Sequence, residues 1–164
     1  MSVAIRIDRA VFGDLDAILA LLRLLAYEHE LFDPSFAVAD NWTTSMESYL
    51  TERLRSGEHY VAVAREGSAL VGVVVASLRW QPVFAESPRG YLENVVVAPS
   101  RRRCGLGRQL VDVASRWCEA RGAQAVELSV AMANEAGRAF WAAMGFSPIL
   151  MQMRRPRGGG PRDE

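Results

Sequence analysis

Residues 95–110 read Val-Val-Val-Ala-Pro-Ser-Arg-Arg-Arg-Cys-Gly-Leu-Gly-Arg-Gln-Leu, and this stretch decides the fold of the chain. Its β-branched start predicts a buried strand, which Pro99 ends because proline has no N–H to donate to a neighbouring strand. A basic turn with two glycines follows, and apolar residues then recur at the spacing of a helix. The first N–H groups of a helix are unpaired and lie at the positive end of its dipole. The order therefore predicts a site for phosphate or pyrophosphate at residues 102–108, which we call the anion turn.

The anion turn does not match the common nucleotide-binding patterns. A Walker loop needs a lysine after its glycines, and the chain contains no lysine, since all 19 basic residues are arginine. The dinucleotide pattern Gly-x-Gly-x-x-Gly fails because residue 110 is leucine. Taken alone, the turn predicts either an anion site or a tight connection that uses glycine for its geometry.

Composition indicates one globular domain over residues 1–153. Half of the 164 residues are apolar, and 19 basic residues balance 19 acidic ones. The zero net charge argues against a nucleic-acid partner. No apolar run is long enough to cross a bilayer, so we expect no membrane partner. Residues 154–164 are rich in Arg, Gly and Pro and predict a disordered tail.

The chain has two cysteines, Cys104 and Cys118. They fit neither a metal cluster nor a disulfide framework, so we expect no bound metal and a reducing, cytoplasmic compartment. Cys104 lies in the anion turn, where a thiol pKa could be lowered. The simpler interpretation, which we favour, is a tolerated loop residue.

Hydrophobic periodicity predicts an α/β fold with six strands and four helices. The predicted strands are 3–9, 60–65, 70–80, 91–98, 125–130 and 146–153. The predicted helices are 14–30, one that begins within 42–45 and ends near 55, 106–121 and 135–144, the last capped by Asn134. This order predicts a mixed sheet that starts antiparallel and has a strand–helix–strand crossover near its end.

The fourth predicted strand leads into the anion turn. Strict alternation along 91–98 places its odd-numbered side chains on one face of the sheet and its even-numbered side chains on the other. Glu93 is then expected on the same face as Val95 and Val97.

The first helix ends in a polar and aromatic cluster at residues 27–34. One interpretation is a solvated helix end with Tyr27 and Phe32 packed beneath it. The other is a substrate-facing rim whose acidic groups attract a cationic amine. Both stay open, and the candidate substrate contacts here are Tyr27, Glu28, Glu30 and Phe32, with Asp33 beside them.

The loop 81–90, which contains two prolines, offers further candidate substrate contacts at Phe84 and Glu86. Phe84 is explained equally well as a hydrophobic anchor of this loop. We therefore keep both interpretations of Phe84.

Three features, in order, resemble the GNAT superfamily of acyl-CoA-dependent N-acetyltransferases. Residues 95–99 are similar to the central strand of that family, and 102–107 to its Gln/Arg-x-x-Gly-x-Gly/Ala loop. Residues 134–146 are similar to its Asn…Phe-Tyr…Gly-Phe segment. The resemblance covers residues 90–148 and implies a GNAT-like mixed sheet of six to seven strands, splayed at its centre, with about four helices.

The resemblance also implies acetyl-CoA as the acyl donor. Backbone N–H groups of 103–108 would hold its pyrophosphate, and the backbone of Val95 and Val97 would pair with the pantetheine arm as an added strand would. The implied donor-binding residues are Val95, Val96, Val97, Arg102, Arg103, Cys104, Gly105, Leu106, Gly107, Arg108, Asn134 and Phe140.

Glu93 is the candidate catalytic base. An amine must lose a proton before it attacks a thioester, and a nearby carboxylate can take that proton directly or through water. Some relatives carry an acidic residue on the strand before the loop, which is the position of Glu93. The alternative is a structural hydrogen bond at the split of the sheet.

The chain departs from the family at Trp141. Many relatives have a tyrosine there, which protonates the leaving thiolate, whereas an indole N–H is not a practical proton source. Trp141 could still bond to the sulfur or carbonyl oxygen, or pack against the donor. Solvent or Tyr91 could supply the proton, or activity could be low.

A second departure is the single strand expected after the last helix, where relatives often have two. It predicts an unpaired sheet edge, and a second subunit could dock there to form a homodimer.

The predicted function is transfer of acetyl from acetyl-CoA to the primary amine of a small cationic molecule, by direct attack. The alternatives are a protein or peptide N-terminal acetyltransferase and a non-catalytic acyl-CoA sensor. A nucleotide-binding protein is disfavoured by the absence of lysine and by the segment 134–146.

Overall fold

The structure is a computed structural model and describes residues 4–155 and 157–158. The strands in this part are β1 (Ile5–Arg9), β2 (His59–Glu66), β3 (Ala69–Arg79), β4 (Arg89–Val97) and β5 (Val126–Leu128). The helices are α1 (Leu15–Phe32), α2 (Trp42–Arg55), α3 (Leu106–Glu119) and α4 (Glu135–Ala143). Most of the predicted tail 154–164, and Val3 of the predicted first strand, lie outside the described residues.

The sheet has the order β1-β2-β3-β4-β5. The first three pairs are antiparallel, and β4 pairs with β5 in parallel across the α3 crossover. One buried cluster joins the sheet to α3, and a second joins its other face to α1 and α2. The predicted α/β fold with a mixed sheet is therefore confirmed.

Helix α3 forms where the sequence places an apolar stripe. Leu106, Leu110, Ala114 and Trp117 are all buried against the sheet. Gly72 on β3 lies directly beneath this helix, since a Cβ atom there would be 2.8 Å from Leu110 Cδ1. The close approach of α3 to β3 thus requires glycine at this position.

The expectation of six to seven strands is wrong, because the described residues form five. The predicted strand 146–153 is absent, and β5 has three residues where six were expected. Ile149 and Leu150 are 74% and 88% exposed, so their side chains find no sheet face on which to pack. Because strand propensity depends on such packing, the alternating pattern alone does not produce a strand.

A bulge on β4 overturns the predicted alternation of its side chains. Val75 pairs with Glu93 and Val73 with Val96, so Asn94 and Val95 together oppose one residue of β3. Asn94 has a positive φ of 52°, which accommodates the extra residue. After the bulge, Val95 and Val97 pack on the α3 side, whereas Glu93 faces α2.

Strands β4 and β5 separate soon after they meet. They pair only over Gly90–Leu92 and Val126–Leu128. Beyond Leu92, the edge of β4 that faced β5 has no neighbouring strand in the described part of the chain. The expected splay of central strands stays a prediction, because β5 ends at Leu128 and does not continue beside the rest of β4.

In the residues that the structure covers, no helix has both the length and the apolar character needed to cross a bilayer.

Candidate active site

The anion turn presents a row of free backbone donors. Within the described residues, the N–H groups from Arg103 to Arg108 donate to no protein acceptor. Arg103 and Gly105 have positive φ values of 61° and 82°, so the chain bends sharply before α3 begins at Leu106. The free N–H groups lie at the positive end of a 14-residue helix, which suits a phosphate or pyrophosphate.

The arginines of this region have two different roles. Arg101 forms a bidentate ion pair with Glu66 of β2. Its Nε and Nη2 atoms donate to the two carboxylate oxygens at 2.7 and 2.8 Å. Arg102 donates to the carbonyl of Val97 at 3.0 Å. Arg103 and Arg108 are exposed and form no ion pair within the described residues, which leaves their charges available to an anion.

Three other residues that were predicted to bind acetyl-CoA have structural roles. The Cys104 thiol donates to the Arg101 carbonyl at 2.9 Å. Leu106 is buried in the core, so it has only its backbone to offer a ligand. Asn134 caps α4 as predicted, because its Oδ1 accepts from the N–H of Gly137 at 2.8 Å.

The start of α3 lies beside the end of β4. Gly107, in the first turn of α3, lies against Val97 and Phe140; a Cβ atom there would be 3.8 Å from Val97 Cγ2 and 3.5 Å from the Phe140 ring. The start of α3, the ring of Phe140 and the end of β4 thus meet beside the split of the sheet.

Glu93 is held at the bulge by hydroxyl donors. Its carboxylate accepts a hydrogen bond from the Tyr49 hydroxyl and another from Ser77 Oγ at 3.2 Å. The Arg53 guanidinium lies 3.8 Å away, and the Glu93 side chain is 20% exposed. The carboxylate is therefore oriented by the protein and still open to a ligand.

Tyr49 was not among the residues predicted for the site. A buried tyrosine needs a partner for its hydroxyl, and this was the one available signal. Burial and the neighbouring Glu93 raise the pKa of Tyr49 far above its usual value, so the hydroxyl stays protonated and donates. The Nδ2 of Asn94 in turn donates to the Tyr49 hydroxyl at 2.8 Å.

Tyr91 and Trp141, the other two predicted catalytic residues, have different surroundings. The Tyr91 hydroxyl lies 2.7 Å from Ser129 Oγ, and the Arg79 guanidinium covers its ring at 3.1 Å from the centroid. Trp141 packs edge-on against Phe140 and Phe146 and joins the α3 side of the core. Neither side chain forms a hydrogen bond with Glu93.

Two of the acidic groups predicted to form a rim are already engaged. Glu28 accepts a hydrogen bond from Arg102, 74 residues further along the chain. Asp33 accepts from the backbone N–H of Ser35, which lowers the pKa of Asp33. Glu30 remains exposed. Two of the three carboxylates therefore have partners within the protein, and a substrate-facing rim stays a prediction.

The predicted aromatic contacts lie at the surface or partly below it. Tyr27 is 54% exposed, and the Arg23 guanidinium lies over its ring at 5.7 Å. Phe32 is half-buried and lies 6.3 Å from the ring of His29. Phe84 is exposed in the loop 81–90, with the Arg89 guanidinium 5.0 Å above its ring.

A cavity of about 300 Å³ lies beside this centre, between α1, α2 and the segment 34–39. Asn94 forms part of its wall. The cavity, the Glu93 carboxylate and the open edge of β4 thus meet at the bulge.

Comparison with known proteins matches residues 23–146 to the sequence model of the family described as the acetyltransferase (GNAT) family. An uncharacterized N-acetyltransferase of Archaeoglobus fulgidus is 27% identical over 130 residues, which cover 73% of this chain and 84% of that one. The structure is similar to a GCN5-related N-acetyltransferase from Ralstonia eutropha JMP134, with a TM-score of 0.78 and 23% identity over 94% of this chain and all of the other. It is also similar to an aminoglycoside N-acetyltransferase in complex with CoA, with a TM-score of 0.71 and 20% identity over 94% of this chain and 95% of that one.

Proposed function

The chain belongs to the GNAT family of acetyltransferases, and we propose that it transfers acetyl from acetyl-CoA to the primary amine of a small molecule, with Glu93 as the base. The observation that carries this proposal is the alignment of three features along β4. The anion turn lies beyond its end, its edge is open from residue 93 onward, and the Glu93 carboxylate lies where that open edge begins.

Acetyl-CoA fits the donor side of this arrangement. Its pyrophosphate would accept from the free N–H groups of 103–108, with Arg103 and Arg108 close to its charges. Its pantetheine arm would hydrogen-bond to the backbone of Val95 and Val97, because no strand pairs with that edge in the described residues. The solved relative with CoA bound supports the same class of donor.

The chemistry proposed for Glu93 is proton removal from the acceptor. A primary amine is a cation at neutral pH, and the Glu93 carboxylate takes the proton from this ammonium. The freed nitrogen attacks the thioester carbonyl carbon, the C–S bond breaks, and the nitrogen gives its second proton to solvent. The amide product and CoA thiolate form. Tyr49 and Ser77 keep the carboxylate in place, because both donate to it.

The thiolate must then gain a proton. We assign this step to solvent or to Tyr91, whose hydroxyl is paired with Ser129. The edge-on contacts of Trp141 with Phe140 and Phe146 support a packing role for its indole. CoA thiolate is a moderate leaving group, so turnover does not depend on an acid at residue 141.

A small-molecule acceptor is favoured over a polypeptide. The cavity beside Asn94 holds about 300 Å³, the lower end of the range for small-molecule sites. The aminoglycoside N-acetyltransferase among the structural relatives supports a small amine as well. A protein or peptide N-terminus is the second candidate.

We further propose a homodimer and a cytoplasmic location. Strand β5 pairs only with β4 in the described residues, and the exposed side chains of Ile149 and Leu150 lie later in the chain. Both cysteines are free thiols, which supports a reducing compartment. Mass measurement in solution that finds only monomer at high concentration would rule out the dimer.

The test of the proposed function is CoA release measured over a broad panel of primary amines and peptide N-termini. We expect release with small amines and stabilisation against heat by acetyl-CoA but not by ATP or NAD. Stabilisation by acetyl-CoA without transfer to any acceptor would instead favour an acyl-CoA sensor.

A further inference from the structure

The cavity between α1, α2 and the segment 34–39 has an apolar wall. Leu25 and Ala26 line it from α1, Phe36 from the segment 34–39, and Trp42 from the start of α2. His29, Ser35 and Asn94 supply its polar side chains. No Asp, Glu or Arg side chain is among its lining residues. A ligand in this cavity therefore meets aromatic and aliphatic side chains together with polar surface, but no charged side chain.

The cavity is linked to the proposed base, Glu93, through two hydrogen bonds. Asn94 is part of its wall and donates to the Tyr49 hydroxyl at 2.8 Å, and Tyr49 donates to Glu93. A molecule whose body fills the cavity thus has its end near the group that takes the proton. Because of this link between the cavity and Glu93, the cavity can hold the part of the acceptor that does not react.

The charges around the cavity disfavour a ligand with several positive groups. Glu28, next to His29 in sequence, is bonded to Arg102 and is not a wall residue. The Arg23 guanidinium stacks on the Trp42 ring at 4.5 Å from its centroid and adds positive charge behind the wall. Burial lowers the pKa of His29, although Glu28 opposes this, so a neutral imidazole faces the ligand at pH 7.

We propose that the acceptor is a primary amine with an apolar, preferably aromatic, body and a single positive charge, and that this body occupies the cavity. The inference rests on the proposed function and narrows its substrate class. The reacting ammonium has Glu93 as its counter-charge, whereas a second or third ammonium in the cavity would be buried without a partner. The aromatic wall offers edge-to-face contacts to an aromatic body.

The first experiment compares primary amines that differ in the part of the molecule that does not react. CoA release is followed with 2-phenylethylamine, with spermidine and with neamine as acceptors. We expect kcat/KM for 2-phenylethylamine to exceed both others by at least about tenfold. A higher kcat/KM for spermidine or neamine would overturn the inference and leave the proposed function intact. No transfer to any small amine would overturn the proposed function, and the inference with it.

The second experiment fills the cavity and uses a matched control on the same helix. Ala26→Phe places a ring inside the cavity, whereas Ala20→Phe places one on an exposed part of α1. We expect Ala26→Phe to raise KM for 2-phenylethylamine at least about tenfold and to leave KM for acetyl-CoA unchanged. Ala20→Phe should change neither.

A third substitution reverses the charge preference and covers the case in which Ala26→Phe does not fold. Ala26→Asp should lower kcat/KM for 2-phenylethylamine and raise it for spermidine, and Ala37→Phe fills the same cavity from the segment 34–39. Unchanged KM for 2-phenylethylamine in folded Ala26→Phe or Ala37→Phe would show that the body of the acceptor lies elsewhere.

Discussion

The Tyr49 hydroxyl on α2 donates a hydrogen bond to the Glu93 carboxylate on β4, across 44 residues of sequence. This bond joins the helical layer to the strand that carries the proposed base. The Arg53 guanidinium stacks on the Tyr49 ring at 3.4 Å from its centroid and holds it from the same helix. The position of Glu93 is thus set by α2 as much as by the sheet.

Removal of that hydroxyl tests its positioning role. Tyr49→Phe should lower kcat by about tenfold, equivalent to about 1.4 kcal/mol, with KM for acetyl-CoA unchanged. Tyr60→Phe is the control, since the Tyr60 ring stacks on Trp117 on the α3 side. An unchanged kcat in Tyr49→Phe would contradict the role.

Replacement of the base should affect chemistry and spare donor binding. Tyr49 and Ser77 donate to different oxygens of Glu93, so Glu93→Gln keeps one acceptor oxygen for one of these hydroxyls and has no carboxylate to take a proton. We expect kcat to fall by about 10²- to 10⁴-fold, while the Kd of CoA changes by less than about twofold. Steady-state kinetics and calorimetry measure the two quantities, and a kcat near that of the parent protein would reject Glu93 as the base.

The anion turn can be tested with two glycines of equal strain. Gly105 and Gly122 have φ values of 82° and 86°, and a Cβ atom at either has no neighbour within 4 Å. Alanine at each should lower the free energy of unfolding by about 1–2 kcal/mol, because the left-handed conformation disfavours a side chain.

Gly105→Ala alone should also weaken CoA binding, by about tenfold, since the free N–H groups of the turn would shift. Gly122 follows the far end of α3, so Gly122→Ala should leave the Kd of CoA unchanged. Equal Kd values for the two variants would indicate that the pyrophosphate binds elsewhere.

An acidic residue away from the site should govern acid stability. Asp14 is buried and accepts from both Arg65 Nη atoms, at 2.8 and 2.7 Å, and from the Val11 N–H. The hydrogen bonds from Arg65, despite burial, lower the pKa of Asp14 in the fold. The unfolded chain therefore binds more protons than the folded one near pH 4, so this stability is present above that pH and is lost as the pH falls further.

Asp14→Asn should lower the free energy of unfolding at pH 7 by about 3 kcal/mol. The difference from the parent protein should shrink when urea unfolding is repeated below pH 4. Asp16→Asn, at an exposed position in the first turn of α1, should change the free energy by less than about 0.5 kcal/mol. A difference for Asp14→Asn that stays constant with pH would contradict the assignment to this ion pair.

Local patterns predicted the parts of the fold that depend on near neighbours. The apolar stripe of α3 follows from a period of 3.6 residues, and the Asn134 cap follows from one side chain three residues from its partner. The bulge at Asn94 was not predictable in this way, because it depends on the pairing of β4 with β3. The strand predicted at 146–153 failed for the same reason, since a strand needs a partner that periodicity does not reveal.

The site shows the same division between local and distant relationships. Glu93 and the anion turn were predicted together because the resemblance to the family rests on one short stretch of sequence. The contacts of Tyr49 with Glu93 and of Glu28 with Arg102 span 44 and 74 residues, and no local signal connects them. The pairing of Glu28 was not predictable from local sequence, because its partner Arg102 lies in the second half of the chain.

The bulge on β4 has a consequence for how this protein could acquire new acceptors. The donor side is built from residues after Asn94, whereas the wall of the cavity comes almost wholly from α1, the segment 34–39 and α2. Substitutions of wall residues in α1, the segment 34–39 and α2 can therefore reshape the proposed acceptor cavity without changing the proposed CoA surface, as long as Glu28 keeps its bond to Arg102. Acceptor preference and donor preference can therefore evolve at separate rates. The two parts of the site adjoin only at the bulge of β4.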